Sequence, residues 1–402
     1  MKNWFFTTYF FSNALFFVVL SFFSVTYNED SIIRNIYNRV FVVLIMVTVL
    51  MVLLHKSVKQ SKSSGRKFFM LCLVLSLLIA TVYGYYKFGK TEISYKILMY
   101  VLGLTIPSTF LALCIDDKSR SFFDKVKYIN IFITIGFGIP ILKGYIKFGE
   151  YIDIAGSTHL IIGYTMSILF AYNLISLINS KKTFGKILYI GLILSNIAMV
   201  VFSGSRGSVV CLVSISMVML WSNRKKITFL KGLLTLIALC TGMYILINKA
   251  SNSFALQRML LAFDGRMGGR NIFYNKAIDM IVASPILGSG IGAYANGFGI
   301  YVYPHNIVLE ILTDFGIVGL IIFLVIIIKA FSNLAKMLKQ NKDEQLIGLL
   351  FISSFTMLLF SGSYLTNIQF WMSFVLVYTY QSNLNIKYAN TNESGTAVVS
   401  AQ

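Results

Sequence analysis

The stretch YPHNIVLEILTDFGIVGLIIFLVIIIKAF, residues 303–331, decides the fold. From Phe315 to Ile328 it carries no charged side chain. Written as a helix over about 305–331, it is long enough to cross a bilayer, which takes ~20 mainly apolar residues. Only a helix or a closed barrel satisfies its backbone in lipid.

Comparable runs recur in both directions along the 402 residues. Helices are expected at about 4–25, 40–54, 68–86, 97–114, 128–142, 158–178, 187–203, 208–222, 227–247, 305–331, 346–361 and 367–382. The expected fold is all-α: a polytopic integral membrane protein with about twelve transmembrane helices in one domain, 1–402. Composition agrees, since 57% of the residues are hydrophobic and 12% charged. A soluble chain carries about 25% charged residues. The first run, MKNWFFTTYFFSNALFFVVLSFF, is too long for a signal-peptide core and lacks an A-x-A site. It reads as a retained first helix.

The net charge of +20 invites a nucleic-acid reading. The basic residues instead form short clusters between apolar runs, so they read as topogenic charge, with no nucleic-acid partner. One set of alternate loops holds Lys56, Lys59, Lys62, Arg66 and Lys67, then Lys118, Arg120, Lys125 and Lys127. It continues through Lys181, Lys182 and Lys186, Arg224, Lys225 and Lys226, and Lys336, Lys339 and Lys342. The positive-inside rule places this set, and both termini, in the cytoplasm. Cys72, Cys114, Cys211 and Cys240 lie inside apolar runs without CxxC spacing, and read as small apolar residues rather than a disulfide or metal set.

One outer loop, 248–304, is long and polar. Within it NIFYNKAIDMIVASPIL places Ile272, Phe273, Ala277, Met280, Ile281 and Ser284 near helical spacing, as in an amphipathic helix at the interface or against the bundle. The tail, 383–402, is expected to be a mobile cytoplasmic segment.

Three outer features carry chemistry. SGSRGS, residues 203–208, reads as a tight hairpin with Arg206 at its tip. Ser203 and Ser205 are candidate caps for the next helix, whose N-terminus favours anions. GRMGGRNIFY, residues 265–274, sets Arg266 and Arg270 among glycines, and the planar arginine fork suits phosphate. In 303–320, Pro304 fits a helix first turn and His305 stands at that helix N-terminus, where the dipole keeps an imidazole neutral. Glu310 and Asp314 follow one turn apart, and acidic residues in a membrane helix usually serve a site or an ion pair. Gly316 and Gly319 suit close packing of a neighbouring helix. Each feature has a bland alternative: a snorkelling arginine, a solvated loop, an interfacial histidine. No HExxH, no DxD on the outer loops and no Cys/His cluster occurs, so no metal or other cofactor is expected.

The order SGSRG, GGRNIFY, SPILGSGIGAY, then His305-Asn306 with Gly316 and Gly319 beyond, resembles the O-antigen polymerase and ligase superfamily over about 195–330. The resemblance implies a glycosyltransferase-C-like membrane fold with a periplasmic active site and glycans on undecaprenyl diphosphate as donors, without metal. It matches Arg206, Arg270 and His305 to catalytic positions, with Tyr274 as the aromatic after Arg270; Arg266, Tyr274, Asn306 and Glu310 are the candidate substrate-binding residues. DIAGSTHLIIGY adds His159 as a further candidate. It further implies the lipid bilayer, a flippase and a chain-length regulator as partners. The inferred activity is polymerisation of lipid-linked repeat units. The alternatives are ligation of the glycan to lipid A core and, in another class, a lipid-linked glycan flippase or transporter. A transporter should show pseudo-symmetric halves and broken helices.

Overall fold

The computed structural model describes residues 2–22, 64–115, 122–142, 159–222 and 270–381. Every regular element among them is helical. In chain order these are α1 (Lys2–Phe10), α2 (Ser12–Phe22), α3 (Ser64–Lys87), α4 (Glu92–Tyr100), α5 (Ile106–Leu113), α6 (Phe122–Leu142) and α7 (His159–Asn179). They continue with α8 (Thr183–Phe202), α9 (Arg206–Ser222), α10 (Arg270–Ala283), α11 (Ala293–Phe298), α12 (Ile307–Met337), α13 (Lys342–Phe360) and α14 (Ile368–Tyr378). Ten of the expected helices fall on described residues and are helical there; those at 40–54 and 227–247 lie outside them, as does the tail. Among the described residues, six helical stretches are long and apolar enough to cross a bilayer, and α9 and α14 are shorter apolar helices. The chain is a multi-pass membrane protein.

Burial sorts the spans. α7 is 78% buried over its apolar window, against 28% for α8 and for α3. α7 is therefore central, touching α8, α9 and α13, while α8 and α3 turn Leu194, Phe184, Ile79 and Phe68 outward as lipid-facing surface. Three asparagines cross the middle of the bundle. Asn130 Nδ2 donates to Asn173 Oδ1 (2.8 Å), and Asn173 Nδ2 donates to Asn196 Oδ1 (2.7 Å). Asn196 Nδ2 in turn reaches Met166 Sδ at 3.2 Å. This chain ties α6, α7 and α8 together where no water competes.

Between α4 and α5 the span passes through one π-helical stretch, Val101–Thr105, just before Pro107. Proline has no N–H, so the helix ladder loses a donor there. Tyr9 Oη donates to the Gly103 carbonyl at 3.4 Å, and Thr105 Oγ1 donates to the Leu365 carbonyl at 2.7 Å.

Several basic loops meet at one end of the bundle. Lys342 pairs with Asp124 at 3.0 Å, Arg66 donates to the Tyr380 carbonyl (2.6 Å), and Ser222 donates to the Leu338 carbonyl (2.7 Å). Arg66, Asp124, Ser222 and Lys342, which lie in or beside clusters assigned to one side by the sequence, are thus placed at the same end. The segments 203–206, 301–306 and 361–367 close the opposite end, because α8, α12 and α13 each run from one end to the other.

α12 corrects one expectation. Gly316 has φ 63° and ψ −159°, so the helix breaks there. The neighbour that Gly316 admits is the loop 285–290, not a helix: a Cβ would lie 2.4 Å from the Ile286 carbonyl oxygen. Ser289 and Gly290 donate to the Thr313 and Asp314 carbonyls (2.7 and 3.0 Å). Ile317 and Val318 donate to those of Pro285 and Ile286 (2.9 and 3.2 Å). The groups freed by the break are thereby satisfied, as a membrane-level break requires. The lipid-facing surface of α12 starts just below, at Ile317, Val318, Ile321 and Ile322, and no residue of 307–315 is fully exposed. The upper turns of α12, with Glu310 and Asp314, therefore lie inside a protein cap.

α10 lies along α12 in this cap. Its Ala277 is buried, with Phe273, Met280 and Ile281 partly covered. Ile272, expected on the packed face, is 67% exposed. The outward face carries Ile278 and Val282, continued by Ile286 and Leu287 in the loop beyond. That apolar ledge stands at the level where the lipid-facing part of α12 begins.

Candidate active site

The hairpin between α8 and α9 is built from its own serines. Ser203 Oγ donates to the Val200 carbonyl at 2.7 Å and accepts from Ser205 N–H at 3.3 Å. Ser205 Oγ accepts from Ser208 N–H at 3.4 Å and from the Ser208 hydroxyl at 2.8 Å. Ser205 therefore caps α9 as expected, while Ser203 closes the preceding turn. α7 packs directly on this hairpin: Ser167 Oγ donates to the Ser208 carbonyl at 3.0 Å. A Cβ on Gly207 would meet the Tyr164 hydroxyl, so glycine is required by the close approach. Arg206, first residue of α9, stays partly exposed at the tip.

The segment before α12 departs from the expected helix start. The helix begins at Ile307, with Asn306 as its N-cap: Asn306 Oδ1 accepts from Val308 N–H (2.9 Å) and Leu309 N–H (3.2 Å), and Nδ2 donates to the Leu359 carbonyl (3.1 Å). Pro304 and His305 lie outside the helix. Asn306 was expected to bind substrate; its side chain is instead committed to holding α12 and α13 in register. His305 takes φ 58°, one of two non-glycine residues with positive φ among the described residues. Such a backbone is strained and persists only where surroundings fix it. The fixing contacts are rings: Tyr303 at 4.4 Å and Phe273 of α10 at 5.5 Å between centroids. Its Nδ1 is buried and has no hydrogen-bond partner.

Burial first, and then the charge of Arg270, lower the His305 pKa from 6.5 to about 4. The ring is neutral at physiological pH, as expected, but the helix dipole is not the principal cause.

Glu310 was also expected at the substrate site. It is fully enclosed and accepts from the Ser363 hydroxyl and from Tyr364 N–H (3.2 Å), while Tyr364 Oη donates to Asp314 at 2.7 Å. Both carboxylates clamp the loop 361–367 onto α12. Trp371 Nε1 also donates to the Tyr364 carbonyl, at 2.7 Å. This loop, SGSYLTN, was missed by the sequence reading.

Arg270 unites the rest. It is the first described residue of α10, and its charge acts on His159, Tyr164, Arg206, Tyr303 and His305. Residues from α7, α9, α10 and the segment before α12 are thus gathered at one end of the bundle. Tyr274 stands half-exposed on the first turn of α10. Arg266 lies outside the described residues. Among the described residues no group of three or more His, Cys, Asp or Glu lies together as a metal site would require. The arrangement offers two guanidinium groups, which bind phosphate oxygens in pairs, beside a neutral imidazole able to take a proton.

Residues 189–324 match the model of the O-antigen ligase family. Over this part the chain is similar to the O-antigen ligase and polymerase superfamily. The matched segment is about a third of the chain and contains Arg206, Arg270 and His305; His159 and the 361–367 loop lie outside it. No curated protein and no solved structure matches the chain at a significant level. Members of that family are glycosyl-transferring proteins of envelope polysaccharide assembly.

Proposed function

We propose that this protein polymerises glycan repeat units carried on undecaprenyl diphosphate, at the periplasmic face of the bacterial inner membrane. The observation that carries the reading is the gathering of Arg206, Arg270 and a neutral His305 from elements far apart in sequence. Arg206 and Arg270 hold the diphosphate and balance its charge as the anomeric C–O bond breaks. His305 accepts the proton of the attacking sugar hydroxyl as the new glycosidic bond forms. The lipid diphosphate leaves as an anion on the arginines, and the proton leaves with the imidazole. An apolar cleft of about 270 Å³ begins at Ile307, two residues past His305, and runs beside α12 past Ile311 and Phe323. It gives a lipid-borne donor a place for its first isoprenyl units. The positive-inside rule supports cytoplasmic termini and a periplasmic site, since the basic loops cluster at the opposite end.

The matched family's description favours a second reading, ligation of the glycan to lipid A core. One experiment addresses both. In cells lacking the chromosomal copy, wild-type protein restores a glycan ladder, and His305→Ala is expected to reduce it by about 10²–10⁴-fold at unchanged protein level. A wild-type ladder from His305→Ala would reject the general-base role. Polymerised glycan that accumulates on undecaprenyl diphosphate without reaching lipid A core, when this protein is absent, would establish the ligase reading.

A further inference from the structure

A cavity of about 330 Å³ opens on the site end of the bundle, between α4, the start of α7, the segment 301–303 and the loop 361–369. It is large enough for a small ligand rather than a single water. Its described lining includes Tyr100, Tyr301, Tyr303, Ser361, Thr366 and Gln369, and no charged side chain. Two of these carry buried hydroxyls with no hydrogen bond. Ser361 is 1% exposed and its Oγ has no partner. The Tyr301 Oη faces Thr366 without making a hydrogen bond of normal geometry. Buried polar groups are rarely left unpaired, and each exception calls for a reason.

The cavity continues into the arginine and histidine cluster through a line of rings. Tyr100 and Tyr301 are 5.0 Å apart between centroids, Tyr301 and Tyr303 6.3 Å, and Tyr303 and His305 4.4 Å. The wall opposite is rigid, because Glu310 and Asp314 fix the 361–367 loop that carries Ser361 and Thr366.

The lining selects among ligand chemistries. A hydrocarbon chain would leave both hydroxyls buried and unpaired, at a cost. A phosphate would need cations, which lie beyond Tyr303. A neutral polyol with apolar C–H faces satisfies both the rings and the hydroxyls.

We propose that this cavity binds a neutral sugar residue of the glycan, with Tyr301 and Tyr303 against its C–H faces and with Tyr301 Oη and Ser361 Oγ bonded to its hydroxyls. The inference rests on the glycan-transfer reading and adds to it the subsite that holds the sugar beside His305.

The test uses purified full-length protein in lipid nanodiscs and, as donor, undecaprenyl-diphosphate-linked glycan extracted from cells lacking this protein. Tyr301→Phe and Ser361→Ala remove the hydroxyls and little else. Each is expected to raise KM for the donor roughly fivefold, and the pair together more, with kcat changed less. Melting temperatures should not fall, because neither hydroxyl has a protein partner to lose. A double variant with KM within twofold of wild type, in a preparation where Arg206→Lys loses turnover, would overturn the subsite and leave the glycan-transfer reading standing. A lowered melting temperature would also overturn it, by showing that the hydroxyls serve the fold. Wild-type protein inert on that donor would remove the reading itself, and the subsite with it.

Discussion

Two sets of buried polar residues can be compared within this molecule. In the middle of the bundle, Asn130, Asn173 and Asn196 form a chain of hydrogen bonds across three helices that ends on Met166 Sδ. At the site end, His305 Nδ1, Tyr164 Oη, Tyr301 Oη and Ser361 Oγ are buried without a partner. The first set has the features of structure: amide-to-amide bonds near 2.8 Å on regular helix backbone. The second has the features of a place prepared for something else: unpaired atoms, a positive φ at His305, and a cavity beside it. Both look alike as polar letters in apolar surroundings; what separates them is whether their hydrogen bonds are already made.

The comparison breaks most visibly at the arginines. Arg206→Lys and Arg270→Lys keep the charge but lose the planar fork. Each is expected to lower the initial rate by about 10²-fold or more, read from glycan chain formation by purified protein. Full activity in either lysine variant would make that residue a simple charge rather than a phosphate clamp.

Asn173→Leu probes the satisfied set. It strands Asn130 Nδ2 and Asn196 Oδ1 in the bundle and should cost about 1–3 kcal/mol, seen as a lower melting temperature in detergent. Its rate per folded molecule should stay within about twofold, since a loss there of about 1–3 kcal/mol acts on folding rather than on the reaction. A rate loss without destabilisation would place the asparagine chain in the machinery.

The smallest effect concerns pH. The His305 pKa of about 4 keeps the imidazole neutral in mildly acidic solution. The rate should therefore hold nearly constant from about pH 7.5 to about pH 5.5 and fall only as pH nears 4. For stability the sign is the reverse of a salt-bridged histidine. Between pH 6.5 and about 4 the unfolded chain takes up a proton that the folded ring refuses, so stability contributed by this group falls as pH is lowered through that window. A rate profile with an inflection near 6.5 would show that the ring is open to water.

Much of the architecture was legible because apolar run length translates directly into spans, as the α7 and α13 boundaries show. Arg206, Arg270 and His305 stood out because cations and a histidine beside apolar runs are costly and few. Other features were hidden for identifiable reasons. Gly316 and Gly319 have the spacing of helix-packing glycines, and nothing in the letters reveals a φ of 63°. Asn306 resembles a ligand by its neighbour His305, although an asparagine four residues before Glu310 and ahead of an apolar run is equally a cap signal. SGSYLTN at 361–367 carries no local signal of its role, since its bond to Glu310 spans 53 residues.

The break at Gly316 has a consequence for how the protein meets membranes of different thickness. An unbroken 31-residue α12 would be about 46 Å long, against a hydrocarbon core of about 30 Å. It would have to tilt steeply or carry its acidic turns into lipid. Divided at Gly316, only 317–337, about 31 Å, must match the bilayer. A thicker or thinner membrane then changes the inclination of that lower piece alone. The upper piece is held by two backbone bonds to the 285–290 loop and by the bonds of Glu310 and Asp314 to the 361–367 loop, so the height of His305 is set by protein contacts and not by the lipid around it.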